Sequence, residues 1–157
     1  MITVMHTGTM SVRRAFESIG YVRQKPKWAF TDRYRTTGFL YQGHAFAERA
    51  LEIHEIMPLI TTIRDPRLVV GSFLARYGSV EKDHMSLRKQ YEDWLPLTDH
   101  AIVIPIEAPE AAWERVRAIA GAPLPEIGHE NKGRQTRSEA LPRWDVFNHP
   151  IFERYSL

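Results

Sequence analysis

A chain of 157 residues, 43% hydrophobic and 25% charged, is sized for a single domain spanning 1–157, and a net charge of +2 does not demand a nucleic-acid-coating surface. Cysteine is absent, which removes disulfides, thiolate metal sites and cysteine nucleophiles together. No apolar run approaches the roughly 18–20 residues of a membrane span, and the first residues lack the basic-then-apolar pattern of a secretion signal, so a cytoplasmic protein with no membrane partner is expected.

Ile2 to Met5 is a short apolar run that reads as a buried strand. It leads into the small-residue turn His6-Thr7-Gly8-Thr9. A helix follows over Ser11 to Ile19, where Val12, Ala15, Phe16 and Ile19 share one face and Gly20 stops the run. Arg23 to Arg35 is a basic, aromatic loop whose Trp28, Phe30 and Tyr34 suit stacking on a sugar or aromatic ring. Gly38 to Gln42, Leu59 to Ile63 and Ala101 to Pro105 are three further strands. Helices are expected over Ala45 to Ile56, Pro66 to Tyr77, Met85 to Leu95 and Glu110 to Ala120. Pro123 to Pro142 is loop-rich, and the aromatic segment Trp144 to Tyr155 packs back on the core. Strands alternating with helices predict an α/β fold with a mainly parallel sheet covered on both faces.

Two turns carry chemistry. A strand, a glycine turn and a helix start present backbone N–H groups at the positive end of a helix dipole, which favours an anion at Thr7, Gly8, Thr9, Met10 and Ser11. The equal alternative is an ordinary capped β-to-α turn. The Walker A pattern is not met, because no Gly-Lys pair occurs here. In "RDPRLVVGS", Asp65 caps a helix and Pro66 suits its first position, leaving Arg64 at the carboxyl end of a strand with Ser72 two turns along. Arg64 can offer a forked donor pair to a phosphate, with Ser72 adding a hydroxyl. The alternative pairs Arg64 with Asp65 and Ser72 with its own helix.

"HTGTMS" and "RDPRLVVGS" together resemble the sulfotransferases that use 3′-phosphoadenosine-5′-phosphosulfate (PAPS). The resemblance implies a P-loop-type three-layer sandwich in which the first turn cradles the 5′-phosphosulfate. Arg64 and Ser72, eight positions apart, then hold the 3′-phosphate. "ENKGRQTR" is similar to the family's late loop over the same phosphate, which assigns Lys132, Gly133 and Arg134 to cofactor binding. His44 matches the family's catalytic base. His6 stands where the family has Lys or Arg and takes the leaving-group role.

The function implied is transfer of a sulfuryl group from PAPS, with no metal, to a hydroxyl or amine of a small-molecule or carbohydrate acceptor. The alternatives are a non-catalytic nucleotide-binding module and a P-loop-type small-molecule kinase. A nucleic-acid partner is not expected.

Overall fold

The computed structural model describes residues 1, 7–24, 39–41, 58–81, 86–128 and 136–154. At its centre lies β3 (Ile60–Ile63), all four of whose residues are buried. It pairs in parallel with β4 (Ile102–Pro105), Ile60 opposite Ile102 and Ile63 opposite Pro105. The ladder runs one bond further at each end: Ile102 N donates to Leu59 O at 2.9 Å and Ile106 N donates to Ile63 O at 3.0 Å.

Because side chains alternate along a strand, this pair needs two covers. On one face, Ile60 and Ile104 meet Val12 and Phe16 of α1 (Thr9–Ser18) and Trp113 and Val116 of α4 (Glu110–Ala120). On the other, Ile63 and Val103 meet α2 (Pro66–Tyr77), α3 (Leu87–Trp94) and α5 (Pro150–Arg154) through Phe73, Trp94 and Phe152 among others. Burial on both faces is the ordinary condition of parallel strands and the reason they read as apolar runs. The fold is mixed α/β.

The two central residues of β3 are threonines, and each puts a hydroxyl into a dry interior. Each hydroxyl is satisfied. Thr61 Oγ1 accepts from Trp94 Nε1 at 2.6 Å, and Thr62 Oγ1 shares a hydrogen bond of 2.7 Å with Thr7 Oγ1. An unpartnered hydroxyl there would cost about 1–3 kcal/mol. The alternation of β3 thus sends one polar bond to each cover.

A second parallel pair joins β1 (Val22–Gln24) and β2 (Phe39–Tyr41), Val22 opposite Phe39. This corrects the expected loop at Arg23 and Gln24: backbone pairing to a distant strand recruits three residues whose own pattern carries no strand signal. The described strands form two separate pairs, where one mainly parallel sheet was expected. The expected strand Ile2 to Met5 and helix Ala45 to Ile56 lie outside the described residues, as do Trp28, Phe30 and Tyr34. Among the described residues no helix is long and apolar enough to cross a membrane.

The helix bounds follow local chemistry. α2 opens where Asp65 Oδ1 accepts from Arg67 N at 2.8 Å with Pro66 in the first turn, and it closes at Gly78. Ser86 caps α3 by accepting from Lys89 N at 3.2 Å. The C-terminal aromatics act as core anchors: Phe147 and Phe152 lie edge-on to Tyr91 at centroid distances of 5.1 and 5.9 Å.

Tyr91 is buried, and its hydroxyl has no hydrogen-bond partner among the described residues. Burial, and secondarily the charge of Asp65, pushes its phenol above the ordinary value of 10.0. Tyr91→Phe is therefore expected to keep the fold and gain about 0.5–1.5 kcal/mol in urea unfolding at pH 7. Since the phenol titrates later in the folded chain than in the unfolded one, stability is lost as pH rises above about 10, and the variant loses less of it. A loss exceeding about 1 kcal/mol at pH 7 would instead reveal a partner for the hydroxyl.

Candidate functional site

The carboxyl ends of β3 and β4 deliver Arg64 and Glu107, each just beyond the last ladder bonds. Three segments distant in sequence meet at this edge. The first is the opening turn, which is held to β3 by the Thr7–Thr62 hydrogen bond.

Gly8 is the N-cap of α1, with φ 84° and ψ 14°. That left-handed conformation is barred in practice to side chains with a Cβ, and a Cβ here would also lie 2.6 Å from Ile106 Cγ1. Ile106 is the residue after β4, so the turn sits against the same edge. Helix α1 begins at Thr9, with no side chain capping it, and Ser11 N donates to Gly8 O at 3.1 Å.

This changes the roles expected of the turn. Thr9, Met10 and Ser11 belong to the first turn of α1 rather than to a loop, because the left-handed Gly8 starts the helix two residues earlier. Thr7, Thr9 and Ser11 are all buried, and the Thr7 hydroxyl shares a hydrogen bond with Thr62 in the interior. The backbone at the helix start is the feature left to meet an anion.

The second segment is Arg64 to Ser72. Arg64 Nε donates to Glu107 Oε1 at 3.1 Å, and the Arg64 side chain is 17% exposed. Its partner is thus Glu107, not the Asp65 weighed from sequence. Asp65 is occupied otherwise, by Arg67 N through Oδ1 and by Arg137 Nη2 through Oδ2 at 3.0 Å. Ser72 is half-buried on α2, and its hydroxyl makes no hydrogen bond among the described residues.

The third segment follows Lys132 to Arg134. Thr136 to Ser138 crosses α2 beside Gly71: Ser138 N donates to Arg67 O at 3.0 Å, and a Cβ on Gly71 would stand 1.9 Å from Thr136 O. The backbone of the late segment therefore touches the helix immediately before Ser72. Arg137, in the basic run but not singled out from sequence, reaches Asp65 from this crossing.

The opening turn, Arg64 and the end of the late segment are thus brought to one edge. His6, His44, Lys132, Gly133 and Arg134 lie outside the described residues. Arg13 of α1 pairs with Glu17 along the helix at 3.2 Å. Among the described residues no group of three or more acidic or histidine side chains is arranged to hold a metal ion. Glu107 was missed from sequence; it lies just beyond β4, at the end of the pair where β3 leads into Arg64, and the shared end of the two expected parallel strands was the signal that pointed there. No protein-family model matches the chain, and no curated protein or solved structure matches it.

Gly71 gives a test of the crossing whose sign is informative. Intrinsic helix preference alone makes Gly71→Ala stabilising by about 0.5–1 kcal/mol. The Thr136 carbonyl predicts the opposite, a loss of about 1–3 kcal/mol in urea unfolding, since backbone has to move. A stabilised variant would show that the late segment does not lie on α2.

Proposed function

We propose that this chain is a small PAPS-dependent sulfotransferase with a P-loop-type three-layer sandwich, acting in the cytoplasm on a hydroxyl or amine of a small-molecule or carbohydrate acceptor. The observation that carries the reading is the meeting of the Gly8 turn, Arg64 and the Thr136–Ser138 crossing at one carboxyl edge of parallel strands. Ligands of open α/β folds bind at such edges. A donor with phosphates at two separated positions needs two anion sites there, and the resemblance in motifs assigns one to each turn.

PAPS supplies the sulfuryl group: the acceptor oxygen or nitrogen bonds to sulfur as the bridging S–O bond breaks, and adenosine 3′,5′-bisphosphate leaves with the electron pair. His44 takes the acceptor proton, a task suited to a neutral imidazole. The first turn of α1 and a protonated His6 stabilise the charge growing on the leaving phosphate. Arg64, Ser72 and Lys132 to Arg134 hold the 3′-phosphate and fix the nucleotide's register. Binding and orientation fall to the two turns, and proton transfer falls to His44.

His6 in place of Lys or Arg favours a second reading, a module that binds the nucleotide without transferring sulfate. Thermal melts and transfer assays separate the readings. Adenosine 3′,5′-bisphosphate should raise the melting temperature where ATP at equal concentration does not, and Arg64→Ala should weaken binding at least about tenfold. Labelled sulfate should pass from PAPS to a mixture of hydroxyl and amine acceptors, and His44→Ala should abolish that transfer while leaving binding in place. Binding without any transfer establishes the module, whereas an equal response to ATP, or none to the bisphosphate, removes both.

A further inference from the structure

We propose that Glu107 is a built-in competitor for the anion site, a carboxylate held on Arg64 that the 3′-phosphate of the nucleotide must displace; this rests on the sulfotransferase reading. Arg64 directly follows β3 and Glu107 lies just past Ile106 beyond β4, so the register of the two adjacent parallel strands, Ile63 opposite Pro105, brings both to the same end of the pair. The contact uses Arg64 Nε and Glu107 Oε1 at 3.1 Å. The neighbouring charges are balanced too: Asp65 is paired with Arg137 at 3.0 Å. Arg64 and Arg137 are thus each held by a carboxylate, which is a poor field for a polyanion until one carboxylate gives way.

Glu107 is the one placed to do so. Its side chain is 40% exposed, whereas that of Asp65 is 16% exposed and is bound on both oxygens, to the α2 backbone and to Arg137. A partly exposed ion pair holds by no more than a factor of about five, so rotation of Glu107 into water is cheap. A phosphate dianion that takes both arms of the guanidinium outcompetes a carboxylate bonded through one nitrogen. A singly charged anion gains little by the exchange. The displaced carboxylate stays near the phosphate and repels it, so Glu107 lowers affinity for the bisphosphate product and leaves affinity for a nucleotide without a 3′-phosphate unchanged.

Calorimetric titration of the full chain with adenosine 3′,5′-bisphosphate and with adenosine 5′-monophosphate tests this. Glu107→Gln keeps the shape and removes the charge, and Glu107→Ala serves as a second variant, with each variant's melt without ligand reporting its fold. Both variants should bind the bisphosphate about tenfold more tightly than the native chain and the monophosphate with unchanged affinity. If the native chain binds the bisphosphate through Arg64 but both variants bind it equally or more weakly, Glu107 is a support for Arg64 and the competitor is refuted while the sulfotransferase reading stands. Equal tightening toward both nucleotides refutes it as well. If no form binds the bisphosphate, the reading falls and the competitor falls with it.

Discussion

The site depends on a hydrogen bond between two threonine hydroxyls in the interior. Thr7 and Thr62 are both essentially fully buried, and their 2.7 Å contact joins segments 55 residues apart. A hydroxyl in a dry core has to find a partner, so each threonine makes the other's position specific in a way that an apolar contact would not. The consequence reaches beyond stability. It fixes the Gly8 turn against the strand that leads into Arg64, and the Ile106 side chain, just after β4, packs on Gly8.

The second constraint is steric. Gly71 in the middle of α2 sacrifices helix preference, and the Thr136 carbonyl occupies the space its side chain would need. The late segment thereby lies on the helix that begins at Asp65, and Arg137 joins Asp65 from above the cap. A hydroxyl pair and a missing Cβ thus bring three separate stretches of chain to the ends of two strands. The covers of those strands supply rigidity: Trp113 is anchored to Pro125 O at 2.9 Å on one face, and Trp94 is anchored to Thr61 on the other.

Much of this architecture was legible in sequence wherever the signal was local. Asp65-Pro66 and Gly121 mark ends of α2 and α4, and both helices fall on the expected residues, Pro66 to Tyr77 and Glu110 to Ala120. β3 and β4 lie within their apolar runs because both faces are buried. What escaped was set by register and contact between distant parts. Glu107 meets Arg64 only through the alignment of two strands, and the partners of Thr61 and Thr62 come from opposite covers. α1 begins at Thr9 rather than Ser11 because the cap is a glycine conformation, not a side chain with a recognisable pattern. Nothing near Gly71 in sequence announces the segment that crosses it. Of the candidate site, the positions of Gly8 and Arg64 were legible, but the occupation of Thr7 and Arg64 by protein partners was not.

In the proposed function the two turns form one two-phosphate site. A crystal structure of the chain with adenosine 3′,5′-bisphosphate tests it most directly. A single nucleotide is expected at the carboxyl edge, its 5′-phosphate on the Gly8 turn and its 3′-phosphate on Arg64, with Glu107 turned away. A nucleotide bound elsewhere, or an Arg64 side chain directed away from the Gly8 turn, would contradict it.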